Sequence, residues 1–297
     1  MNPYELPNLP CYLNGEFTRL PEAKVSVMDR GFIFGDGIYE VVPVYGGRPF
    51  RFQHHMARLN RSLGELRIPN PMTLEQWREL AGRLIAAFAE TLGKPPAETD
   101  QLVYFQVTRG VAMRDHVMLP GMTPTVFAIS NRMSPPSEES RTQGVVCVSA
   151  EDFRWKKAHI KSVSLAGAVL ARQTSADVGA LETIMFRDGE LSEAAASNVW
   201  VVDHGTVIGP PKSNLVLEGI RYGLIEELCR DAGIPFELRA IPRAQVFGAD
   251  ELMLSSATKE ILPVTRLDGQ PIGTGRPGPI YQKLYAGYQR AKESSSA

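Results

Sequence analysis

Lys161 lies in the stretch Glu151-Asp-Phe-Arg-Trp-Lys-Lys-Ala-His-Ile-Lys-Ser-Val-Ser-Leu-Ala-Gly-Ala-Val-Leu, an ammonium at the mouth of a run of small and apolar residues. Removing an amine from water disfavours its charged form and leaves a nucleophile able to attack an aldehyde. The ordinary alternative is a lysine that flanks a helix and snorkels its charge to solvent. A second chemical signal follows Glu218-Gly219, where Ile220, Leu224, Ile225 and Leu228 keep helical spacing and Asp231-Ala-Gly233 stops the pattern. Unpaired N–H groups at a glycine-marked helix start, with the helix dipole behind them, make an anion site. A plain connecting helix is the other reading.

The remaining composition narrows the chemistry. The 297 residues are 43% apolar and 22% charged, enough for a globular protein of two domains. Lysine and arginine (32) balance aspartate and glutamate (33), so no basic face is offered to nucleic acid or to an anionic membrane. The first residues lack a basic segment followed by an apolar core, and no apolar run approaches the ~20 residues that span a bilayer. Cys11, Cys147 and Cys229 are far apart and show no metal-ligand spacing, which suits free thiols in a reducing, cytoplasmic compartment. The adjacent His54-His55 pair points to different sides of a helix and cannot chelate as an i, i+4 pair would, so no metal is expected. Phosphate-binding glycine motifs for nucleotides are missing, since Gly35-Asp-Gly-Ile-Tyr-Glu does not complete G-x-G-x-x-G.

The elements that must position these residues alternate. Strands are predicted over 11–13, 16–19, 38–45 and 48–52, with turns at Asn14-Gly15 and Gly46-Gly47. Two helices follow, one with Met56, Leu59, Leu63 and Leu66 on a face and one over 74–92. A hairpin over 102–108 and 125–130 encloses an irregular loop from Arg109 to Pro124. The polar, double-proline stretch that follows reads as a linker, dividing a domain of residues 1–131 from one of residues 144–290, with 132–143 between them and 291–297 as a disordered tail. In the second half, strands are predicted near 145–149, 182–186, 198–202 and 252–255, and a helix from about Ser164.

Taken in order, Asp29-Arg-Gly-Phe-Ile-Phe-Gly-Asp-Gly-Ile-Tyr-Glu-Val-Val, Tyr104-Phe-Gln-Val-Thr-Arg-Gly, His159-Ile-Lys-Ser, Leu165-Ala-Gly-Ala-Val-Leu-Ala-Arg-Gln, Leu191-Ser-Glu, Ser197-Asn-Val and Leu217-Glu-Gly-Ile resemble the pyridoxal-phosphate aminotransferases of fold type IV, most closely the D-amino acid transaminases. The resemblance covers nearly the whole chain. It implies a two-domain α+β fold, with a small N-terminal α/β domain and a larger C-terminal domain around a barrel-like sheet. It also implies pyridoxal 5'-phosphate as cofactor, carried on Lys161 as a Schiff base, the internal aldimine. Lys161 would then shuttle the proton at the substrate's alpha carbon.

The resemblance assigns the other roles residue by residue. Glu193 would face the pyridine nitrogen, because the ring drains carbanion charge best when that nitrogen is protonated. The phosphate would lie against Arg58, the helix start at Ile220 and Arg221, and the turn containing Ser256 and Ala257, with Leu217 also at the cofactor. Two departures from the family stand out: Ala257 replaces a hydroxyl residue, which removes a hydrogen bond of order ~1 kcal/mol, and Ala194-Ala195-Ala196 replace serines. Arg114 and His116, from the loop of a neighbouring subunit in a homodimer, would trap the alpha-carboxylate together with Tyr39. An arginine fork beside a second donor fixes that group with defined geometry. D-alanine and 2-oxoglutarate are the implied substrates of two half-reactions that give pyruvate and D-glutamate. Branched-chain L-amino acid transaminases and aminodeoxychorismate lyases share the fold without characteristically carrying the Arg-x-His trap.

Overall fold

The computed structural model describes residues 4–294. The chain forms two compact units. Of the described residues, the first unit holds those up to Ser134 together with the returning segment Ile160–Leu165, and the second holds Pro135–His159 and residues 166–294.

The first unit is built from β1 (Pro10–Leu13), β2 (Glu16–Arg19), α1 (Arg30–Phe34), β3 (Gly37–Tyr45), β4 (Arg48–Pro49), α2 (Phe52–Glu65), α3 (Leu74–Thr91), β5 (Gln101–Thr108) and β6 (Thr125–Arg132). Its strands form an antiparallel sheet in the order β2-β1-β6-β5-β3-β4. Both tight hairpin turns take positive φ at two successive positions, Asn14 (49°) with Gly15 (105°) and Gly46 (54°) with Gly47 (77°). That geometry follows the right-handed twist of the strands, which is why Asn-Gly and Gly-Gly occupy it. Alternation along β3 and β5 sends Ile38, Val42, Val44, Val103, Phe105 and Val107 into a core closed by Met56, Leu59 and Leu63 of α2 and Trp77, Leu80 and Leu84 of α3. Thr73 starts α3 with a capping box shared with Gln76. The opposite sheet face carries Tyr39, Val41, Tyr104, Gln106 and Phe127, all half-buried.

The second unit contains α4 (Glu138–Thr142), β7 (Val145–Glu151), α5 (Ala166–Ala176), β8 (Glu182–Arg187), β9 (Glu190–Ala194), β10 (Asn198–Asp203), β11 (Thr206–Gly209), α6 (Arg221–Asp231), β12 (Phe236–Leu238), α7 (Arg243–Phe247), β13 (Glu251–Ser256), β14 (Glu260–Leu267), β15 (Gln270–Pro271) and α8 (Pro279–Ser294). A mixed sheet runs β12-β11-β10-β13-β14-β7-β8-β9, with β15 on β14. The sheet curls, and the short link after β9 returns through the Ala194 N–H to Ser197 oxygen bond of 2.8 Å directly into β10. Its core contains Val145, Ile184, Phe186, Val199, Leu252 and Leu262.

Several sequence-based expectations are corrected. Residues 50–52 are not strand, because β4 ends at Pro49 and Phe52 already opens α2. The second-half helix starts at Ala166, two residues later than its apolar pattern suggests. Within the polar stretch 132–143, Ser137 caps the helix α4, and Arg132 still belongs to β6. Residues 291–294, expected as a disordered tail, are the end of α8, and the rest of that tail (295–297) lies outside the described residues. Among the described residues, no helix is long and apolar enough to cross a membrane.

Candidate active site

Lys161 is held on a short extended segment against β3. Its carbonyl accepts from the Tyr39 N–H at 3.0 Å, the next-but-one N–H of Val163 donates to Gly37 at 2.9 Å, and Ser162 bridges to Ile38. The Ser164 hydroxyl donates to the Gly35 carbonyl at 2.8 Å, and the Lys161 N–H donates to the Ser62 hydroxyl at 3.3 Å. Main-chain bonds therefore hold the carbonyl side of the lysine, and the Ser62 hydroxyl holds its N–H. Its half-buried side chain places Nζ 4.0 Å from the centroid of the Tyr39 ring. A ring face attracts an ammonium without quenching it as a carboxylate would. Among the described residues of the unit, Lys161 makes no ion pair.

Tyr39 stacks on Tyr104, with ring centroids 5.7 Å apart, and the Tyr104 hydroxyl donates to Gln106 Oε1 at 2.7 Å. Burial, with Tyr39 alongside, pushes the Tyr104 phenol up to about 12. On the helix-covered side of β3, Arg58 grips Glu40 with two bonds, Nε to Oε1 at 2.6 Å and Nη2 to Oε2 at 2.8 Å, while His55 Nδ1 lies 2.8 Å from Oε2. Burial alone would raise the Glu40 carboxyl, but Arg58 and then His55 hold it down at about 2. Arg58 is thus a buried, fixed guanidinium rather than a solvated helix residue, and of the adjacent histidines His55 is buried while His54 is exposed.

Arg114 and His116 lie in the exposed loop between β5 and β6. Both meet Phe34, the Arg114 guanidinium 5.4 Å from its ring centroid and the His116 ring at 5.3 Å.

In the second unit, Glu193 is on β9, 4% exposed, rather than on the surface. Arg154 Nη1 donates to its Oε1 at 2.6 Å, Asn198 Nδ2 to its Oε2 at 3.3 Å, and the Leu217 N–H to both oxygens at 3.2 Å. Burial pushes the Glu193 carboxyl up, and Arg154 pulls against it. Arg154 also clasps Asp152 through Nε at 2.9 Å and Nη2 at 2.8 Å. Asn198 ties the Leu217 carbonyl at 2.9 Å, so Glu193, Asn198 and Leu217 form one connected cluster. α6 begins at Arg221 after Ile220, with no side-chain cap on its N–H groups. The Arg221 side chain turns away from that end and donates to the Tyr288 hydroxyl at 2.9 Å, leaving the helix start to act through its backbone. In the turn after β13, Ser256 Oγ accepts from the Lys259 N–H at 3.0 Å, and Ala257 offers no hydroxyl. Glu182, fully buried, receives Ser197 Oγ at 3.0 Å, Lys259 Nζ at 2.8 Å and the Ala196 N–H at 3.3 Å, and the last of these pins the end of the alanine run 194–196.

The structure therefore gathers Lys161, Tyr39 and Arg58 around β3, and Glu193 and Leu217 around β9. Sequence reasoning missed Glu40, Arg154, Asn198 and Glu182 as part of these clusters. For three of them the signal lay in the quoted segments, since Glu40 follows Tyr39, Arg154 stands within the lysine stretch and Asn198 follows Ser197.

Residues 37–267 match the family described as amino-transferase class IV. A D-alanine aminotransferase of Staphylococcus aureus is 35% identical over 286 residues, 96% of this chain and 98% of that protein. One from Bacillus licheniformis is 34% identical over 284 residues, 96% and 97% of the two chains. Among solved structures, the branched-chain aminotransferase of the archaeon Thermoproteus uzoniensis with norvaline superposes with a TM-score of 0.82 at 23% identity, covering 95% of this chain and 94% of that one. The Escherichia coli branched-chain enzyme gives 0.81 at 23%, covering 94% and 92%. These last two establish the shared fold type IV architecture. A match that runs through the lysine segment, the Glu193 strand and the start of α6 makes the assignment: the chain belongs to the class IV amino-transferase family.

Proposed function

We propose that the protein is a D-amino acid transaminase that converts D-alanine and 2-oxoglutarate to pyruvate and D-glutamate. The observation that carries this reading is the near end-to-end match to D-alanine aminotransferases. The Arg114-x-His116 loop supports it. The family's cofactor is pyridoxal 5'-phosphate, and the residues present fit it: a lysine over an aromatic face that makes no ion pair among the described residues, a buried carboxylate with donors on both oxygens, and a helix start without a side-chain cap. When bound, the cofactor supplies a carbonyl for the amino group and a ring that drains carbanion charge.

The chain's residues would act as follows. Lys161 Nζ holds the cofactor and then moves the proton at the substrate's alpha carbon. Glu193 stabilises a proton on the ring nitrogen. The backbone at Ile220, Arg221 and Ala257, the Ser256 hydroxyl and the Arg58 guanidinium hold the phosphate, and Leu217 orients Glu193 through its N–H. Arg114, His116 and the Tyr39 hydroxyl fix the alpha-carboxylate so that the bond to be broken points across the ring.

The proposed assembly is a homodimer in the cytoplasm, each loop serving its neighbour. Support comes from apolar side chains around the loop, Phe32 (71% exposed), Val27 (70%) and Met113 (80%), and from three buried free thiols. A protein that is monomeric in solution yet fully active would overturn the dimer.

The test is the visible spectrum of the purified protein with pyridoxal phosphate, titrated separately with D-alanine and L-leucine. Loss of the cofactor colour with D-alanine alone is expected. Loss with L-leucine alone would move the enzyme to the branched-chain class.

A further inference from the structure

The loop from Arg109 to Pro124 has no helix or extended strand of its own, and Arg114 and His116 lie on its exposed part. A carboxylate trap on such a loop is useful only if its backbone is fixed, since a displacement of ~1 Å can cost a hundredfold in rate. The fixing group is Arg30, 4% exposed at the first position of α1. Its Nε donates to Asp36 Oδ2 at 2.8 Å. The far end of the same guanidinium turns to the loop, where Nη1 donates to the Asp115 carbonyl and, at 3.4 Å, to that of Val117, and Nη2 reaches the His116 carbonyl at 3.5 Å. One planar group thus meets three successive carbonyls that bracket His116.

The root of this clasp is equally fixed. Arg109 grips both Asp36 oxygens, Nε to Oδ2 at 2.7 Å and Nη2 to Oδ1 at 3.0 Å, and also donates to the carbonyls of Leu66 and Arg67. Asp29 caps α1 through the Gly31 N–H at 2.7 Å and accepts from Thr108 at 3.0 Å, which ties the helix to the end of β5. Phe34, one turn after Arg30, presents its ring to Arg30 at 4.8 Å, to Arg114 at 5.4 Å and to His116 at 5.3 Å. Side chains of the trap and main chain of the loop are therefore referenced to the same short helix.

We infer that Arg30, anchored by Asp36, is a positioning residue for the carboxylate trap, with Phe34 as the surface on which Arg114 and His116 are oriented. The inference rests on the reading of Arg114 and His116 as the trap. Lysine at position 30 keeps the charge opposite Asp36 but is a point donor and cannot span carboxylate and loop together.

The test measures KM and kcat for D-alanine, the spectrum of the bound cofactor and amide exchange at 113–119 in Arg30→Lys, Phe34→Leu and Arg114→Ala. Arg30→Lys is expected to raise KM roughly tenfold with kcat within about twofold, to keep the cofactor spectrum and to speed exchange across the loop. Phe34→Leu is expected to raise KM in the same direction without faster exchange at the Asp115–Val117 carbonyl clasp, and it decides the matter alone if Arg30→Lys does not fold. Wild-type KM in both variants, with a raised KM in Arg114→Ala, would overturn the positioning role and leave the trap intact. An unchanged KM in Arg114→Ala would instead overturn the trap itself, and this inference with it.

Discussion

Arg154 donates a 2.6 Å hydrogen bond to Glu193 while its other two nitrogens clasp Asp152, so one guanidinium balances two buried carboxylates. Burial pushes Glu193 up, and Arg154 is the main group that opposes this. Arg154→Leu removes that opposition and leaves Glu193 without its cation, while Asp152 keeps Arg187 at 3.0 Å; breaking a buried pair in this way costs about 3–5 kcal/mol. The expected outcome is a Glu193 that takes up a proton, with kcat depressed near neutrality and recovering as pH rises and the carboxylate ionises. A kcat–pH profile parallel to that of the wild type would show that Arg154 does not govern Glu193.

Gly219 precedes the start of α6, and a Cβ there would come within 2.0 Å of Asn198 Oδ1. Asn198 in turn donates to Glu193 and to the Leu217 carbonyl. Gly219→Ala must displace one of these partners, so cofactor affinity is expected to fall at least about tenfold, one hydrogen bond to a charged group being worth ~1.5–3 kcal/mol. Equilibrium dialysis of pyridoxal phosphate against Gly219→Ala and Asn198→Ala measures this. Unimpaired affinity in the glycine variant would mean that the contact relaxes without cost.

Lys161 over the Tyr39 ring separates two functions of one tyrosine. Tyr39→Phe keeps the aromatic face and removes only the hydroxyl assigned to the substrate carboxylate, so it is expected to raise KM for D-alanine while the cofactor spectrum stays as in the wild type. Tyr39→Leu removes both and is expected to shift the spectrum as well. Lys161→Ala is expected to abolish turnover, by about 10³-fold or more, since it deletes the group that moves the proton. Steady-state activity in Lys161→Ala near that of the wild type would end the assignment of its role.

Much of the architecture was legible because it depends on local pattern. Alternation along β3 and β5, the two glycine turns and the spacing of Met56, Leu59 and Leu63 each fix an element within a few residues. The strands β9, β11, β12, β14 and the two-residue β15 were not anticipated. β9 and β14 alternate poorly because both of their faces are largely buried, and β11 and β12 are too short to show a period. The buried ion clusters were also hidden. Arg30, Asp36 and Arg109, or Glu40, Arg58 and His55, come together only after the sheet and helices pair, and nothing in the spacing of a charged residue announces that it will be buried with a partner. The Arg58 guanidinium was expected on resemblance, but its carboxylate partner was not.

That partner sets an acid limit on the fold. Glu40 is fully buried and held at about 2 by Arg58 and His55, against an ordinary value of 4.5. A carboxyl whose folded value is depressed contributes stability that is present above its unfolded value and is lost as pH falls toward the folded one. The window is therefore from about 4.5 down to about 2, and the contribution at stake is of order ~3 kcal/mol. Glu40→Gln is expected to lower stability at neutral pH, because it removes the buried charge that Arg58 grips with two bonds, and to flatten the decline across that window. Urea unfolding over the same range for both proteins supplies the comparison. If the wild type and Glu40→Gln lose stability in parallel on acidification, another carboxylate controls the acid transition and the Glu40–Arg58 pair is not its source.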